Sequence, residues 1–317
     1  MIYSLSMRKG HVLSLALFSG AIGCFAAFSV IGSTVAPDGR LIEPFFLIPL
    51  GWFFLIGACV SFVFDFGISL FLNRNTFRGT ALLRSGSITD KNILVILGRN
   101  NFLKDEDLIE SLVESLSQKN LTIVCYEHEG VSVAKQINLA CDRLRSVLST
   151  VHVLTDFEIK MLKMILMLQY PRTWKYFFLA KRDSPNLVKY QTKQLRLFLK
   201  QFHEDQHLVL LSRSASGRAA SLVVHESCIK KIICLGYPFR QPGKPEEDER
   251  TRPLISMPKP YLIFQGTEDV YGGKDVLERY QFSSQVSLSF VEADHDFLVS
   301  EEEWVKAIVE IKKFIEV

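Results

Sequence analysis

Charge vanishes from this chain over two long stretches near its start and afterwards returns at short, regular intervals. No charged residue lies between Val12 and Pro37, and none between Pro44 and Phe64, where Phe45-Phe46 and Phe53-Phe54 flank Trp52. A helix crossing a hydrocarbon core needs roughly 20 apolar residues, and each run supplies them. Asp38 to Glu43, between the runs, is short and mixed in charge, so only a tight hairpin joins them. Asp65 interrupts the second run, which resumes over Phe66 to Leu72 and so places the acid near its end, at headgroup level or in a functional position. Small residues at helix spacing, Gly57 and Ser61, suit close packing of the two helices. A signal peptide would also follow Arg8 and Lys9, but its apolar region is normally about 7–15 residues long and no second span follows it. The pattern predicts a membrane anchor over residues 1–73, with transmembrane helices at about 12–36 and 44–72.

Basic residues set the orientation of such an anchor. Arg8 and Lys9 precede the first run and Arg74, Arg78 and Arg84 follow the second, whereas the hairpin tip carries only Arg40. Both termini are therefore expected on the cytoplasmic side.

The pattern then changes period. Residues 74–90 are polar and basic with scattered Gly, Ser and Thr, and read as a linker. From Lys91 onward short apolar runs alternate with longer amphipathic ones, the signature of a parallel sheet covered by helices on both faces. Strands are expected at Asn92–Leu97, Leu121–Tyr126, His207–Leu211, Lys231–Leu235, Tyr261–Phe264 and Val286–Val291. Helices are expected over Asp105–Gln118 and Gln191–Phe202, and from about Gly217, Asp275 and Glu301. The stretch 131–190 is mostly helical and longer than one crossover needs, so it reads as an insertion beside the sheet. Its Met161, Met164 and Met167 stripe is of the kind used for packing. Pro238 to Pro253 is the most charged segment and reads as a solvated loop.

Composition adds little to this division. The 317 residues are 48% hydrophobic with a mean hydropathy of +0.17, an excess that the first 72 positions explain. A net charge of +3 with no basic stripe argues against a nucleic-acid partner. The six cysteines show no CxxC or zinc-binding spacing and read as reduced, and no cofactor motif appears. His203-Glu204-Asp205-Gln206-His207 matches a zinc-protease pattern in letters only, because that pattern works mid-helix and His207 opens a strand. His128 and His225 read as structural.

Candidate chemistry begins where the His207 strand ends. In Leu211-Ser212-Arg213-Ser214-Ala215-Ser216-Gly217-Arg218 a buried strand runs through a turn of small residues into a helix, with Ser214 at the apex. Such a turn raises a serine hydroxyl above the sheet and lets the next backbone N–H, from Ala215, hold an oxyanion. A serine needs a base, and the base an orienting acid. Asp269 follows the Tyr261–Phe264 strand and His295 follows the Val286–Val291 strand, which gives the order Ser, Asp, His at successive strand ends. Glu268 is the substitute for Asp269. For Ser214 alone, a helix-capping turn serine is the plainer alternative.

The stretch from about Leu208 to Phe297 resembles the α/β-hydrolase branch that includes a testis-expressed hydrolase-like protein and a regulatory subunit of the NSL acetyltransferase complex. Dienelactone hydrolases are more distant relatives. The resemblance rests on Arg213-Ser214-Ala215 with Gly217-Arg218-Ala219-Ala220, Gly236-Tyr237-Pro238 with Pro242-Gly243-Lys244-Pro245, Gln265-Gly266-Thr267-Glu268-Asp269, and Asp294-His295-Asp296. It implies an α/β-hydrolase-type, mostly parallel sheet with helices on both faces, here preceded by a two-helix transmembrane hairpin, and Ser214, Asp269 and His295 as its triad. Two positions where the family's elbow carries glycine hold Ser212 and Ser216, and the usual His-Gly after the first strand is Leu97-Gly98. A second oxyanion donor is then expected from the backbone of Arg99 or Asn100, unless Arg99 attracts an anionic group or closes the pocket. Two functions follow. One is a membrane-anchored serine hydrolase acting on a small-molecule or acyl ester or thioester beside a lipid bilayer. The alternative is a non-catalytic scaffold of the same fold that binds a protein partner at the membrane.

Overall fold

The computed structural model describes residues 9–71, 79–98, 106–117, 121–148, 155–168, 170, 173–181 and 185–315. They divide into two compact units, a helical one (Ser4–Thr76 with Thr155–Trp174) and a sheet unit (Phe77–Leu154 with Lys175–Val317).

In the helical unit, α1 (Lys9–Ile31) and α2 (Leu47–Phe71) are joined by two-residue strands β1 (Thr34–Val35) and β2 (Leu41–Ile42), paired antiparallel as a tight hairpin. Ser14, Ala21, Cys24, Gly51 and Ala58 are buried between α1 and α2 among the described residues, where small side chains let helices approach. The Phe25 and Trp52 rings meet edge-on at 5.9 Å, and Gly57 lies over Leu17. Among the described residues one helix, Leu13–Ile31, is long and apolar enough to cross a membrane, where two were expected; the second apolar stretch, Leu47–Val63, is shorter. Arg8, Arg74, Arg78 and the side chain of Asp65 lie outside the described residues. α5 (Asp156–Leu168) belongs to this unit rather than to the sheet unit. After it, the Trp174 indole donates to the Met167 carbonyl at 2.8 Å and faces Phe62 of α2 at 6.3 Å. The stretch expected as a single insertion, 131–190, is thus divided between the units.

The sheet unit follows the expected alternation. Its elements are β3 (Gly79–Ser85), β4 (Asn92–Leu97), α3 (Glu106–Leu116), β5 (Thr122–His128), α4 (Glu129–Leu148), α6 (Trp174–Lys181, entered from the helical unit) and α7 (Pro185–Leu199). β6 (His207–Arg213), α8 (Ala215–Leu222), β7 (Ile229–Leu235), α9 (Asp248–Ile255), β8 (Tyr261–Gly266), α10 (Val276–Arg279), β9 (Val286–Val291) and α11 (Glu301–Ile315) complete it. The strands form one sheet in the order β3-β5-β4-β6-β7-β8-β9, parallel except for β3, which runs antiparallel to β5 at the edge. Continuous apolar strands are what such a sheet requires, because both faces are buried. Ile93, Val95 and Leu97 pack with α7 and α8 through Leu195, Phe198 and Ala220, while Leu94 and Ile96 pack with α3 and α11 through Leu112, Leu116 and Ile311.

Two segments depart from expectation. The stretch 74–90 contains β3, whose Leu82 and Leu83 are both exposed, so an edge position left no alternation to read. The charged Pro238–Pro253 segment contains the start of α9, which has Asp248 and Glu249 in its first turn, favourably placed on the helix dipole, and buries Leu254. His203 and His207 share no helix, since α7 ends at Leu199 and His207 opens β6. All six cysteines are free of disulfides.

One buried group ties stability to pH. His128, at the end of β5, is 7% exposed and lies against the rings of Tyr176 and Tyr190. Neither ring nitrogen meets a hydrogen-bonding partner among the described residues, and burial pushes its pKa down from 6.5 to about 4. The unfolded chain therefore takes up this proton near pH 6.5 and the folded chain only near pH 4. Stability is full above that window, falls as pH drops through it, and levels off below. At 1.36 kcal/mol per pKa unit the loss is on the order of 3 kcal/mol. Urea unfolding of wild type and His128→Leu between pH 7 and 4 should show this decline in wild type and a flatter curve in the variant; parallel curves would refute it.

Candidate active site

Ser214 sits between β6 and α8 with φ 52° and ψ −122°, a conformation unfavourable for any residue but glycine. Its backbone is held on both sides, by Ser214 N–H to Leu235 O at 3.1 Å and by Gly217 N–H to Ser214 O at 2.8 Å. The surrounding sheet and helix thus fix a strained turn that presents the hydroxyl. Ser212 and Ser216, where glycine is usual, are both accommodated. The buried Ser212 hydroxyl donates to Ile233 O at 2.8 Å, and Ser216 Oγ lies 3.0 Å from Leu97 O and accepts from Arg213 N–H at 2.9 Å. Neither serine leaves a buried polar atom unsatisfied. Ser216 also fastens the turn to the end of β4.

From the ends of β8 and β9 two loops meet Ser214. Thr267 N–H bonds Val291 O and Glu268 N–H bonds Ala293 O, which lace the loops together. Gly266 permits this approach, because a Cβ there would strike the Ala293 carbonyl. Asp269 is buried and points inward, while Glu268 is exposed, so Asp269 and not its neighbour meets the histidine. Asp269 Oδ2 lies 2.9 Å from His295 Nδ1, and His295 Nε2 lies 2.8 Å from Ser214 Oγ. An ionised carboxylate only accepts, so Nδ1 carries the proton and Nε2 is left to accept from the serine hydroxyl. Gln265 Nε2 and Tyr271 N–H each donate to the same carboxylate at 2.8 Å, which fixes its plane.

Four supporting residues carry no role legible from sequence. Gln265, at the end of β8, ties Asp269 to Gly272 O and to Tyr237 N–H. Tyr271 lays its ring on His295, centroids 4.2 Å apart and 38° inclined. Arg213 is almost wholly buried, and its guanidinium donates to Leu235 O at 2.9 Å and His295 O at 2.6 Å with the Phe297 ring beneath it at 5.4 Å. Gly236, with φ 65°, leaves the space that Arg213 Nη1 occupies. Arg213, Gly236 and Gln265 stand in the elements that carry the family resemblance, but nothing in the sequence assigns them these contacts.

Ala215 opens α8, so its N–H is among the donors that a helix start leaves without an intrahelical partner. Arg99 and Asn100, expected to supply a second oxyanion donor, lie outside the described residues. No group of metal-binding side chains occurs among the described residues.

Comparison with known proteins gives a sequence match and several distant folds. A family model described as an alpha/beta hydrolase domain matches residues 158–316, half of the chain. A second, described only as a protein of unknown function, matches residues 11–66. No curated protein matches. Among solved structures, the esterase domain of a Rhodothermus marinus protein is similar at 12% identity, covering 75% of this chain and 91% of that one, with a TM-score of 0.43. An alpha-beta serine hydrolase homologue from Coxiella burnetii is similar at 13% identity, with coverages of 75% and 89% and a TM-score of 0.42. A structure of metagenome-derived lipolytic enzymes is similar at 12% identity, with coverages of 76% and 98% and a TM-score of 0.45. The family assignment rests on the sequence match alone.

Proposed function

The chain belongs to the alpha/beta hydrolase domain family, and from that premise we propose that it is a membrane-anchored serine hydrolase cleaving a carboxylic ester or thioester. The observation that carries this reading is the unbroken hydrogen-bond relay from Ser214 through His295 to Asp269, set at a strained turn. In the proposed reaction Ser214 Oγ attacks the substrate carbonyl as His295 Nε2 takes its proton. Asp269 holds the imidazole and stabilises its positive charge. The Ala215 N–H steadies the oxyanion, with a second donor assigned to the backbone of Arg99 or Asn100. His295 then protonates the departing alcohol or thiol, and water, activated by the same imidazole, releases the acyl group from Ser214.

Serine where the family's elbow carries glycine favours the rival scaffold reading, and the satisfied hydroxyls of Ser212 and Ser216 weigh against it. Within the family we assign the chain to the branch of testis-expressed and NSL-complex hydrolase-like proteins, on its Gly236-Tyr237-Pro238 and Gln265-to-Asp269 elements.

The anchor is proposed as two membrane-spanning helices with both termini and the hydrolase unit cytoplasmic. At 1.5 Å per residue α1 and α2 are each about 35 Å long, enough for a hydrocarbon core. Phe18, Ile22, Phe53 and Val60 are exposed on them, as lipid contact requires. An address beside a bilayer favours acyl or lipid-like substrates.

A fluorophosphonate probe tests the hydrolase reading directly. Wild-type protein should become covalently labelled and Ser214→Ala should not. Equal labelling of both, or of neither, would leave the scaffold standing.

A further inference from the structure

On the sheet unit, away from Ser214, α7, α8 and α9 enclose a cleft of about 400 Å³, within the range of small-molecule sites. At its inner end is Arg218, one turn into α8 and only 8% exposed. Its Nε is buried without a hydrogen-bond partner, and no carboxylate among the described residues comes within ion-pair distance of it. Nearby Arg250 is engaged elsewhere, with Glu247 at 3.0 Å and Gln241 at 3.3 Å, and so adds positive potential without relief. Burial first, and Arg250 second, pull the Arg218 pKa below its ordinary value. A buried cation in this position is costly unless an anion completes it.

The rest of the lining points the same way. Lys189 and Arg252 stand exposed at the rim and Glu249 is the one carboxylate, so three permanent positive charges face one negative. Leu222 and Pro258 supply apolar wall beside them. We propose that this cleft binds a phosphate group carried on an apolar body, with the phosphate on Arg218 between Lys189 and Arg252. A guanidinium fork matches two phosphate oxygens at once, and the flanking cations act as further charge. The site is distinct from the Ser214 chemistry, because Ser214, Asp269 and His295 are not among the residues that line the cleft.

Isothermal titration of the full chain in detergent micelles tests this with inorganic phosphate, phenyl phosphate and dihexanoyl phosphatidic acid. Phenyl phosphate or the lipid should bind once per chain and more tightly than inorganic phosphate. Arg218→Gln should abolish that binding and Arg252→Gln weaken it about tenfold, as loss of one charge-assisted contact implies. Tighter binding of the lipid would assign the phosphate to a headgroup, and tighter binding of phenyl phosphate to a soluble ester; either supports the site. Binding of none of the three, or equal binding to Arg218→Gln, would overturn it. If Arg218→Gln does not fold, the rim double variant Lys189→Glu/Arg252→Glu, at two exposed positions, must lose binding instead. Fluorophosphonate labelling of Ser214 in that double variant should be unchanged, so failure here is separable from failure of the hydrolase reading.

Discussion

Ser214→Ala and His295→Ala should each lower kcat for p-nitrophenyl acetate hydrolysis by roughly 10⁶, and the double variant should fall no further. The argument is one of shared function. Ser214 Oγ lies 2.8 Å from His295 Nε2, so the hydroxyl becomes a nucleophile only as the imidazole takes its proton. Without the base the serine is an ordinary alcohol, and without the serine the base has nothing to activate. Either loss leaves only binding and whatever the oxyanion donors provide. Losses that multiplied in the double variant would mean that the two side chains act independently, and the relay would be structural. Both single variants should fold, since Ser214 is a small turn residue and His295 lies at the site's edge with 14% of its side chain exposed.

Asp269→Asn should cost about 10⁴ in kcat with the fold intact, because the substitution is isosteric but reverses one hydrogen bond. An amide nitrogen facing Nδ1 would place the imidazole proton on Nε2, turned towards Ser214 Oγ, where an acceptor is needed. The neighbours make this effect clean. Tyr271 N–H still donates to the oxygen left at the Oδ1 position and so directs the amide nitrogen to the Oδ2 position facing Nδ1, where the Gln265 Nε2 donation is lost while Gln265 keeps its bonds to Gly272 O and Tyr237 N–H. Circular dichroism and thermal unfolding should be close to wild type. Activity within about tenfold of wild type would show that Asp269 is only a packing and capping group. The variant also separates orientation from charge, since Gln265 and Tyr271 remain to orient the loop when the carboxylate is gone.

Much of the frame was legible because its physics is local. β4 and the centres of β5 to β8 appear as short apolar runs, a direct consequence of a parallel sheet buried on both faces, whereas the edge strand β9 alternates Val286-Ser287-Leu288-Ser289. Carboxyl ends of parallel strands share one edge, so order along the chain was enough to name Ser214, Asp269 and His295 as residues that could meet. The choice between Asp269 and Glu268 was not legible, because adjacent loop positions differ only in which one the Gly266 approach turns inward. β3 escaped notice because its exposed Leu82 and Leu83 follow no period, and the α9 segment because its charges outweigh its buried face.

By itself the sequence determined the division into two apolar runs and an alternating domain, the strands other than the edge strand β3, and the order of candidate chemical groups, since each depends on hydrophobic period and chain direction over a few residues. Only the tertiary structure decided that Arg213 grips the His295 backbone, that Gln265 fixes the Asp269 carboxylate, and that Arg218 Nε lies buried with no hydrogen-bond partner among the described residues. Those relations join residues brought together by strand register and helix packing, and long-range register leaves no local periodic trace in the residues it pairs.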